Sequence, residues 1–216
     1  MNENSLSPIL ALSTKTHHHL CPRQVLGARM GLWAGELLGI DLPGHDRCLL
    51  AIVETDGCLV DGISAATACT PGRRTLRIED YGKAAATFVD LEIGTALRIA
   101  PSLDARWIAA DWAPEASSPW QAQLLGYQRM PAEVLLSRQE VQLRVPLSRI
   151  TSRPGVKAFC AVCGEEIMNG REVQRDGNTL CRSCAGESYY ASLPAPMASL
   201  PENQPVLMKK LAEFRS

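Results

Sequence analysis

The clearest apolar stripe of the chain follows Pro22 at the spacing of an α-helix, and its members are Val25, Leu26, Met30, Trp33 and Leu37. Pro22 suits the first helical position, where its missing N–H has no partner to lose. The pattern predicts a helix that begins after Cys21. Glycines recur every four residues along it, although each interior glycine costs about 1 kcal/mol relative to alanine. We expect this face to pack against another backbone, in the core or across a dimer interface, rather than to bind a ligand; its glycines are Gly27, Gly31, Gly35 and Gly39.

A short, uninterrupted apolar run at residues 48–54 predicts a buried strand, because the turn signal Thr55-Asp56-Gly57 follows it directly. A second, short helix is expected from Asp61 to Cys69. Shorter apolar runs predict strands of a mainly antiparallel sheet at 76–78, 84–89 and 96–99, helices at 118–130 and 131–137, and an edge strand at 140–145. Residues 1–16 are expected to be an irregular lead-in. These elements predict an α+β core domain over residues 1–150.

Composition narrows the class of protein. The chain has 216 residues, of which 46% are apolar, so one ordinary domain and a small appendage can fold. A net charge of −1 gives no general attraction to nucleic acid or acidic membranes. The N-terminus lacks a basic segment followed by a long apolar run, so we expect no signal peptide and a cytoplasmic protein. Eight cysteines in such a chain indicate reduced thiols and metal ligands rather than disulfides.

Four cysteines near the C-terminus predict a structural zinc site. They form two C-x2-C pairs separated by seventeen residues, a spacing typical of four-cysteine zinc modules, and are Cys160, Cys163, Cys181 and Cys184. Gly164 permits the tight turn after the first pair. A hairpin is expected over Glu166–Leu180 with its turn at 176–178, followed by a helix at 182–190, an arrangement similar to a treble-clef finger. The finger is expected over residues 156–192.

Polar and proline-rich segments flank the predicted finger. Residues 148–155 are short, polar and contain a proline, so we expect them to link it to the core domain. The remaining residues, 193–216, form a tail that carries four prolines between Pro194 and Pro205, which predicts an extended segment. A short amphipathic helix is expected over Val206–Phe214.

A second cluster of metal-binding residue types lies in the core domain. Its members are His17, His18, His19, Cys21, Cys58 and Cys69. Imidazole and thiolate together suit zinc or a similar transition metal. A thiol at a helix N-terminus also has a lowered pKa, so Cys21 or Cys58 could instead be a reactive thiolate. Cysteines at both ends of one helix from 58 to 69 would lie about 16 Å apart, so at most one joins a site.

The alternative is that the histidines and cysteines of the core domain have only a structural role. Cys48 and Cys69 would then be small buried apolar residues, and the three histidines a surface tract.

Three motifs of the core domain resemble a known family. Residues 17–22, His-His-His-Leu-Cys-Pro, resemble the His-Gly-His-x-Cys-Pro opening of the formylmethanofuran dehydrogenase E-subunit family. Residues 56–62 and 67–73 resemble its two later motifs, and the four-cysteine segment its C-terminal finger. The resemblance implies an α+β core, a homodimer, and a metal or active site made by His17, His19, Cys21, Cys58 and Cys69.

The chain departs from the family pattern at three glycines, which are replaced by His18, Arg23 and Ala68. A side chain at residue 18 crowds the loop, and one at residue 68 disfavours positive φ, so we expect a changed site geometry.

Three functions compete. The first is a metal-binding accessory protein of molybdenum, tungsten or other redox-enzyme systems, whose finger contacts a protein partner. The second is a metal- or thiol-dependent enzyme, in which Cys21 or Cys58 reacts and Asp56 or Asp61 serves as a general base. Four basic residues could form an anion-binding edge for the substrate of such an enzyme. A solvated strand face would explain the same residues, which are Arg73, Arg74, Arg77 and Lys83.

The third function, nucleic-acid binding by the finger, is disfavoured. Residues 157–190 hold four basic side chains against five acidic ones, and a zinc with four thiolates adds further negative charge.

Overall fold

The computed structural model describes residues 3–17, 19–44, 48–151 and 155–191. The chain divides into two compact units, Met1–Ser152 and Arg153–Ser216. The proline-rich segment and the helix predicted for the tail lie outside the described residues, as does the middle of the predicted linker. None of the helices in the described ranges is both long enough and apolar enough to cross a bilayer.

The first unit combines seven α-helices with one sheet in the described residues. Its helices are α1 (Glu3–His17), α2 (Pro22–Leu38), α3 (Cys58–Thr67), α4 (Ala105–Ile108), α5 (Pro119–Arg129), α6 (Ala132–Leu135) and α7 (Leu147–Ile150), with a 3-10 turn at Ala109–Trp112. Its strands are β1 (Leu49–Val53), β2 (Leu76–Ile78), β3 (Ala86–Asp90), β4 (Ala96–Pro101) and β5 (Leu136–Glu140).

The five strands form a sheet in the order β2-β1-β3-β4-β5. Every pairing is antiparallel except that of β1 with β2, where Ala51 lies opposite Leu76. The mainly antiparallel α+β fold predicted from the sequence is confirmed. The parallel pair exists because α3 carries the chain from β1 back to the same end of the sheet. The N-terminus of α3 therefore lies at the carboxyl end of β1, the edge at which α/β units bind ligands.

Strand β1 is buried on both faces, as its continuous apolar run predicts. Leu49, Ala51 and Val53 belong to the main core with α2 and α3, whereas Leu50 packs with Val89 on the opposite face. Apolar side chains of the segment after β5 cover this second face; they are Val141, Leu143, Leu147 and Ile150.

Helices α2 and α3 run in the same direction and pack backbone against backbone. A Cβ atom added at Gly27 would collide with the Leu59 carbonyl, and one at Gly62 would lie 2.8 Å from the Ala28 nitrogen. Further along, a Cβ at Gly31 would lie 2.8 Å from the Ala66 Cβ. The expectation that the glycine face packs against another helix is confirmed at Gly27 and Gly31, whereas Gly39 ends α2 at φ 69° with no atom within 4 Å of an added Cβ. Because the helices are parallel, their N-termini lie side by side.

The expectation of an irregular lead-in over residues 1–16 was wrong, because helix α1 occupies this segment. Leu6, Ile9, Leu10 and Ser13 are buried at helical spacing. Pro8 hid the pattern, since proline is disfavoured inside a helix.

Two other boundaries differ from the prediction. Helix α3 begins at Cys58, three residues before Asp61. Strand β5 spans Leu136–Glu140, where the end of a helix was expected, and it precedes the predicted strand at 140–145. Its polar side chains are exposed, so its strand form comes from pairing with β4 rather than from an apolar pattern.

Arg29 is a buried cation that ties α2 to the end of α5. Only 4% of Arg29 is exposed, and its guanidinium donates to the carbonyls of Tyr127, Gln128 and Met130 at 3.0, 3.1 and 2.6 Å. Burial lowers the pKa of Arg29, which the nearby Glu133 partly offsets. The guanidinium satisfies carbonyls that a helix end leaves without partners.

Candidate metal centres

The second unit is built from two small hairpins and a helical turn. Strand β6 (Lys157–Phe159) pairs with β7 (Glu166–Met168), and β8 (Val173–Arg175) pairs with β9 (Asn178–Leu180). The turn between β8 and β9 falls where the sequence predicts it, with Asp176 and Gly177 both at positive φ. The single hairpin expected over Glu166–Leu180 is wrong, because β7 pairs with β6. The helix expected at 182–190 is a π-helical turn over Ser183–Glu187, since Gly186 at φ 97° departs from helical geometry.

The four finger cysteines converge as a metal site requires. The sulfurs of Cys160, Cys163, Cys181 and Cys184 all lie within 4.8 Å of one another, and those of Cys163 and Cys181 are 3.9 Å apart. Tetrahedral zinc with Zn–S bonds of about 2.3 Å places its sulfurs about 3.8 Å apart. The donor set therefore fits zinc, and this is a four-cysteine zinc site.

Backbone hydrogen bonds shape both cysteine pairs. The Gly164 N–H donates to the Cys160 carbonyl at 2.9 Å, and Gly164 has φ 75°, which a glycine adopts without strain. In the second pair, the Cys184 N–H donates to the Cys181 sulfur at 3.4 Å. The apolar core beneath them holds few buried residues, namely Cys160, Ile167, Leu180 and Ala185. So small a core depends on a metal for its stability.

The pKa values of the finger thiols differ from one another. Backbone N–H groups of Cys163 and Cys181 lower the pKa of Cys160 to about 6. The neighbouring Cys181 thiol and then burial raise the pKa of Cys184 to about 12. The Glu165 N–H lowers the pKa of Cys163, but burial and the Cys160 thiol outweigh it, so that pKa is raised.

Zinc affinity of the finger is expected to rise steeply with pH. Cys160 is already ionised above about pH 6, whereas at least Cys163 and Cys184, whose pKa values are raised, must release a proton when zinc binds. Release of at least two protons makes the affinity rise at least about 100-fold per pH unit between about pH 6.5 and 8. Competition with a chromophoric chelator at several pH values measures this slope. A slope below about tenfold per unit, which corresponds to one proton, would contradict the assigned ionisation states.

Cys21 lies at the head of α2 and is buried there. It has an extended backbone, and its N–H donates to Oε1 of Gln24 at 2.7 Å. The Gln24 amide in turn donates to Oγ of Ser13 in α1 at 3.1 Å. These bonds fix the position of Cys21 relative to both helices.

Cys58 is the first residue of α3 and follows Gly57, whose φ of 78° allows the turn after β1. Its thiol lies close enough to the Cys21 thiol for each to influence the ionisation of the pair. Burial raises the pKa of Cys58, and the Cys21 thiol and the nearby Asp61 carboxylate raise that pKa further. The structure thus brings two of the predicted core-site residues together, at the adjacent heads of α2 and α3.

Cys69 lies at the opposite end of α3 from Cys58. It is 3% exposed, and its thiol donates to the Leu49 carbonyl at 3.5 Å. Burial raises the pKa of Cys69, and the Cys48 thiol is also close enough to raise it. These two cysteines line a cavity of about 10 Å³, too small for a ligand beyond one water.

The remaining predicted site residues are dispersed around the head of α3 and the end of α1. His17 is the last residue of α1, His19 is exposed, and His18 lies outside the described residues. Asp56 is exposed in the loop after β1, and Asp61 is half-buried in the first turn of α3. In the part of the chain that the structure describes, only the finger brings three or more ligand atoms together.

Ala68 adopts the backbone conformation that the replaced glycine would adopt. It ends α3 at φ 57° and ψ 12°, in the left-handed region. An alanine in that region costs about 1–2 kcal/mol. The chain therefore keeps the turn before Cys69 at an energetic cost.

Comparison with known families decides the identity of the first unit. The model of the family described as FmdE, molybdenum formylmethanofuran dehydrogenase operon, matches residues 16–137, more than half of the chain. The chain belongs to the FmdE family. A second model, the prokaryotic dksA/traR C4-type zinc finger, matches residues 154–190. An FmdE domain is thus followed by a four-cysteine zinc finger.

Two known proteins are similar to this chain, one in sequence and one in fold. An Archaeoglobus fulgidus protein named a probable S-adenosyl-L-methionine-binding protein is 29% identical over an alignment of 209 residues, and the match covers 88% of this chain and 55% of that protein. This chain therefore spans about half the length of that relative. A protein from Syntrophus aciditrophicus, described as like the FmdE protein of a tungsten formylmethanofuran dehydrogenase, has the same fold, with a TM-score of 0.53 and 22% identity over 84% of this chain and 92% of that one.

Sequence reasoning missed the charged groups that fix the edge of the FmdE domain beside α3. Glu54, directly after β1, forms a bidentate ion pair with Arg98, at 2.5 and 2.7 Å. Its carbonyl also accepts the N–H groups of Tyr81 and Lys83. Of the proposed anion-binding edge, Arg77 donates to the Ile150 carbonyl. No sequence spacing signals such long-range pairs.

Proposed function

We propose that this FmdE-family chain is a metal-binding accessory protein of molybdenum, tungsten or other redox-enzyme systems, with a second transition metal in its FmdE domain. The contact between the Cys21 and Cys58 thiols at the adjacent heads of α2 and α3 carries this proposal. The positive ends of two helix dipoles meet there. Burial and the Cys21 thiol nevertheless raise the pKa of Cys58, so a metal ion that binds there must displace a thiol proton. Two thiolates so placed are half of a zinc-type ligand set.

Imidazoles complete the proposed ligand set. His17 and His19 precede Cys21 by four and two residues, so the chain holds them near the head of α2. Thiolate and imidazole donors together suit zinc and similar ions. We place Cys58 rather than Cys69 in the site, because Cys69 lies beyond the other end of α3.

Metal stoichiometry of single variants tests the second site. We expect two metals per wild-type chain, and one in Cys21→Ser or Cys58→Ser, by elemental analysis of protein purified without a histidine tag. Cys48→Ser and Cys69→Ala are the controls and should retain two, since neither residue lies at the heads of α2 and α3. One metal per wild-type chain, or loss of the second metal from Cys69→Ala, would show that the second site does not lie at the heads of α2 and α3.

A metal- or thiol-dependent enzyme is the second candidate. The proximity of Asp61 to Cys58 favours it, because a carboxylate beside a metal or a reactive thiol can serve as a general base. Asp61→Asn separates the two roles. In an enzyme this variant would keep both metals and lose turnover, whereas in an accessory protein it would leave metal delivery intact.

The finger is proposed to bind a protein partner. Several apolar side chains of this small unit are exposed, including Val162 at 71% and Met168 at 53%. Exposed apolar groups on so small a unit support a contact surface. The cysteine turn, the hairpin and the helical turn after it support a treble-clef arrangement.

We further propose a cytoplasmic homodimer. The reduced-thiol composition of the chain supports the compartment, and the family resemblance supports the dimer.

A further inference from the structure

A second concave site lies in the FmdE domain between α4 and the start of α5. Its volume is about 770 Å³, within the range of small-molecule sites. The described residues that line it are Arg106, Trp107, Ala110, Ala113, Pro114, Ala116, Ser117, Ser118, Pro119, Ala122 and Gln123. Alanines and prolines are six of these eleven residues, so a flat ligand can approach the backbone closely.

Tryptophan placement sets this region apart from the rest of the chain. Three of the four tryptophans lie between residues 107 and 120, and all three are exposed, whereas Trp33 is buried in the core. Trp107 is 77% exposed and lines the cavity. An indole held at the surface beside a cavity offers a stacking face for a planar ring.

The polar groups of the cavity favour an anion. Arg106 is the one charged side chain among its described lining residues, and Glu115 nearby is already paired with Arg129 at 2.5 Å. In the described structure no hydrogen bond or ion pair holds the side chain of Arg106 or Gln123, and Arg106 lies near enough to Tyr127 to act on it electrostatically. Ser118 caps α5, an eleven-residue helix, so the positive end of its dipole also borders the cavity.

We propose that this cavity binds a planar heterocycle that carries an anionic group, the chemistry of a nucleotide. The ring stacks on Trp107, and the anion is neutralised by Arg106 and the N-terminus of α5. The site is separate from the Cys21–Cys58 pair and does not depend on the proposed metal there.

Calorimetric titration of the full chain with AMP and with adenosine tests the site. We expect saturable AMP binding that Trp107→Ala weakens at least tenfold. Trp112→Ala and Trp120→Ala are matched controls, because these exposed indoles do not line the cavity, and they should change the affinity less than twofold. Arg106→Gln should weaken AMP binding at least tenfold and adenosine binding less than twofold.

Three results would overturn the proposal. AMP could fail to saturate the protein at millimolar concentration, or the three tryptophan variants could lose affinity equally. A Trp107→Ala protein that keeps its circular dichroism spectrum but changes its sedimentation coefficient would instead assign the cavity to an interface between proteins. Cys21→Ser should bind AMP as the wild type does, so loss of the metal site and loss of this site are distinguishable.

Discussion

Cys160→Ala is expected to remove one zinc per chain and to unfold the finger while the FmdE domain stays folded. Binding of structural zinc by four cysteines contributes about 10–16 kcal/mol to folding, and the finger core of four buried residues cannot replace it. Cys160 is also the finger thiol that ionises most readily, so its loss removes the first ligand for zinc. The core of the FmdE domain is built from other residues and should keep its melting temperature.

Elemental analysis and limited proteolysis measure this outcome. Cleavage should become rapid within residues 156–191 and remain slow in the FmdE domain. Val162→Ala is the matched control, since Val162 lies in the same turn, is exposed, and supplies no ligand. A Cys160→Ala protein that kept both its zinc and its protease resistance would refute a structural role for the metal.

Gly62→Ala is expected to destabilise the FmdE domain by about 3 kcal/mol, the upper end for overpacking, because the added Cβ meets backbone atoms that cannot rotate away. That atom would collide with the Gln24 carbonyl and lie 2.8 Å from the Ala28 nitrogen. Relief of the collision requires α2 and α3 to separate. The Cys21 and Cys58 thiols at their heads would then move apart, so occupancy of the proposed second site should fall as well.

Gly72→Ala is the matched control for this substitution. Gly72 follows α3 closely in the chain, and a Cβ there meets no atom within 4 Å. Its free energy of unfolding should change by less than about 0.5 kcal/mol. Urea denaturation followed by circular dichroism compares the two variants. Equal effects would show that the glycine contact does not hold the helices together.

Sequence patterns predicted those elements that are determined by residues close together in the chain. Pro22 and the stripe that follows it marked α2, and the cysteine spacing marked the zinc site. The turn at residues 176–178 was likewise set by its own residue types. In each case the residues that form the feature lie within a few positions of one another or carry distinctive chemistry.

The remainder depends on contacts between distant residues. Strand β5 is polar and exists because β4 pairs with it, and Arg29 is buried because three carbonyls near the end of α5 accept hydrogen bonds from it. The proposed metal site of the FmdE domain is another example, because residue spacing alone left Cys58 and Cys69 as alternative ligands. Only the parallel packing of α2 and α3 shows which of them meets Cys21.

That packing also limits how the heads of α2 and α3 can separate. Gly27, Gly31 and Gly62 place no side chain between the helices that could change rotamer to make room. We therefore expect α2 and α3 to separate in a single step. Their central amide protons should therefore exchange with deuterium in one cooperative step rather than residue by residue. A metal bound by thiols at both helix heads would keep its two sulfur ligands together between such openings.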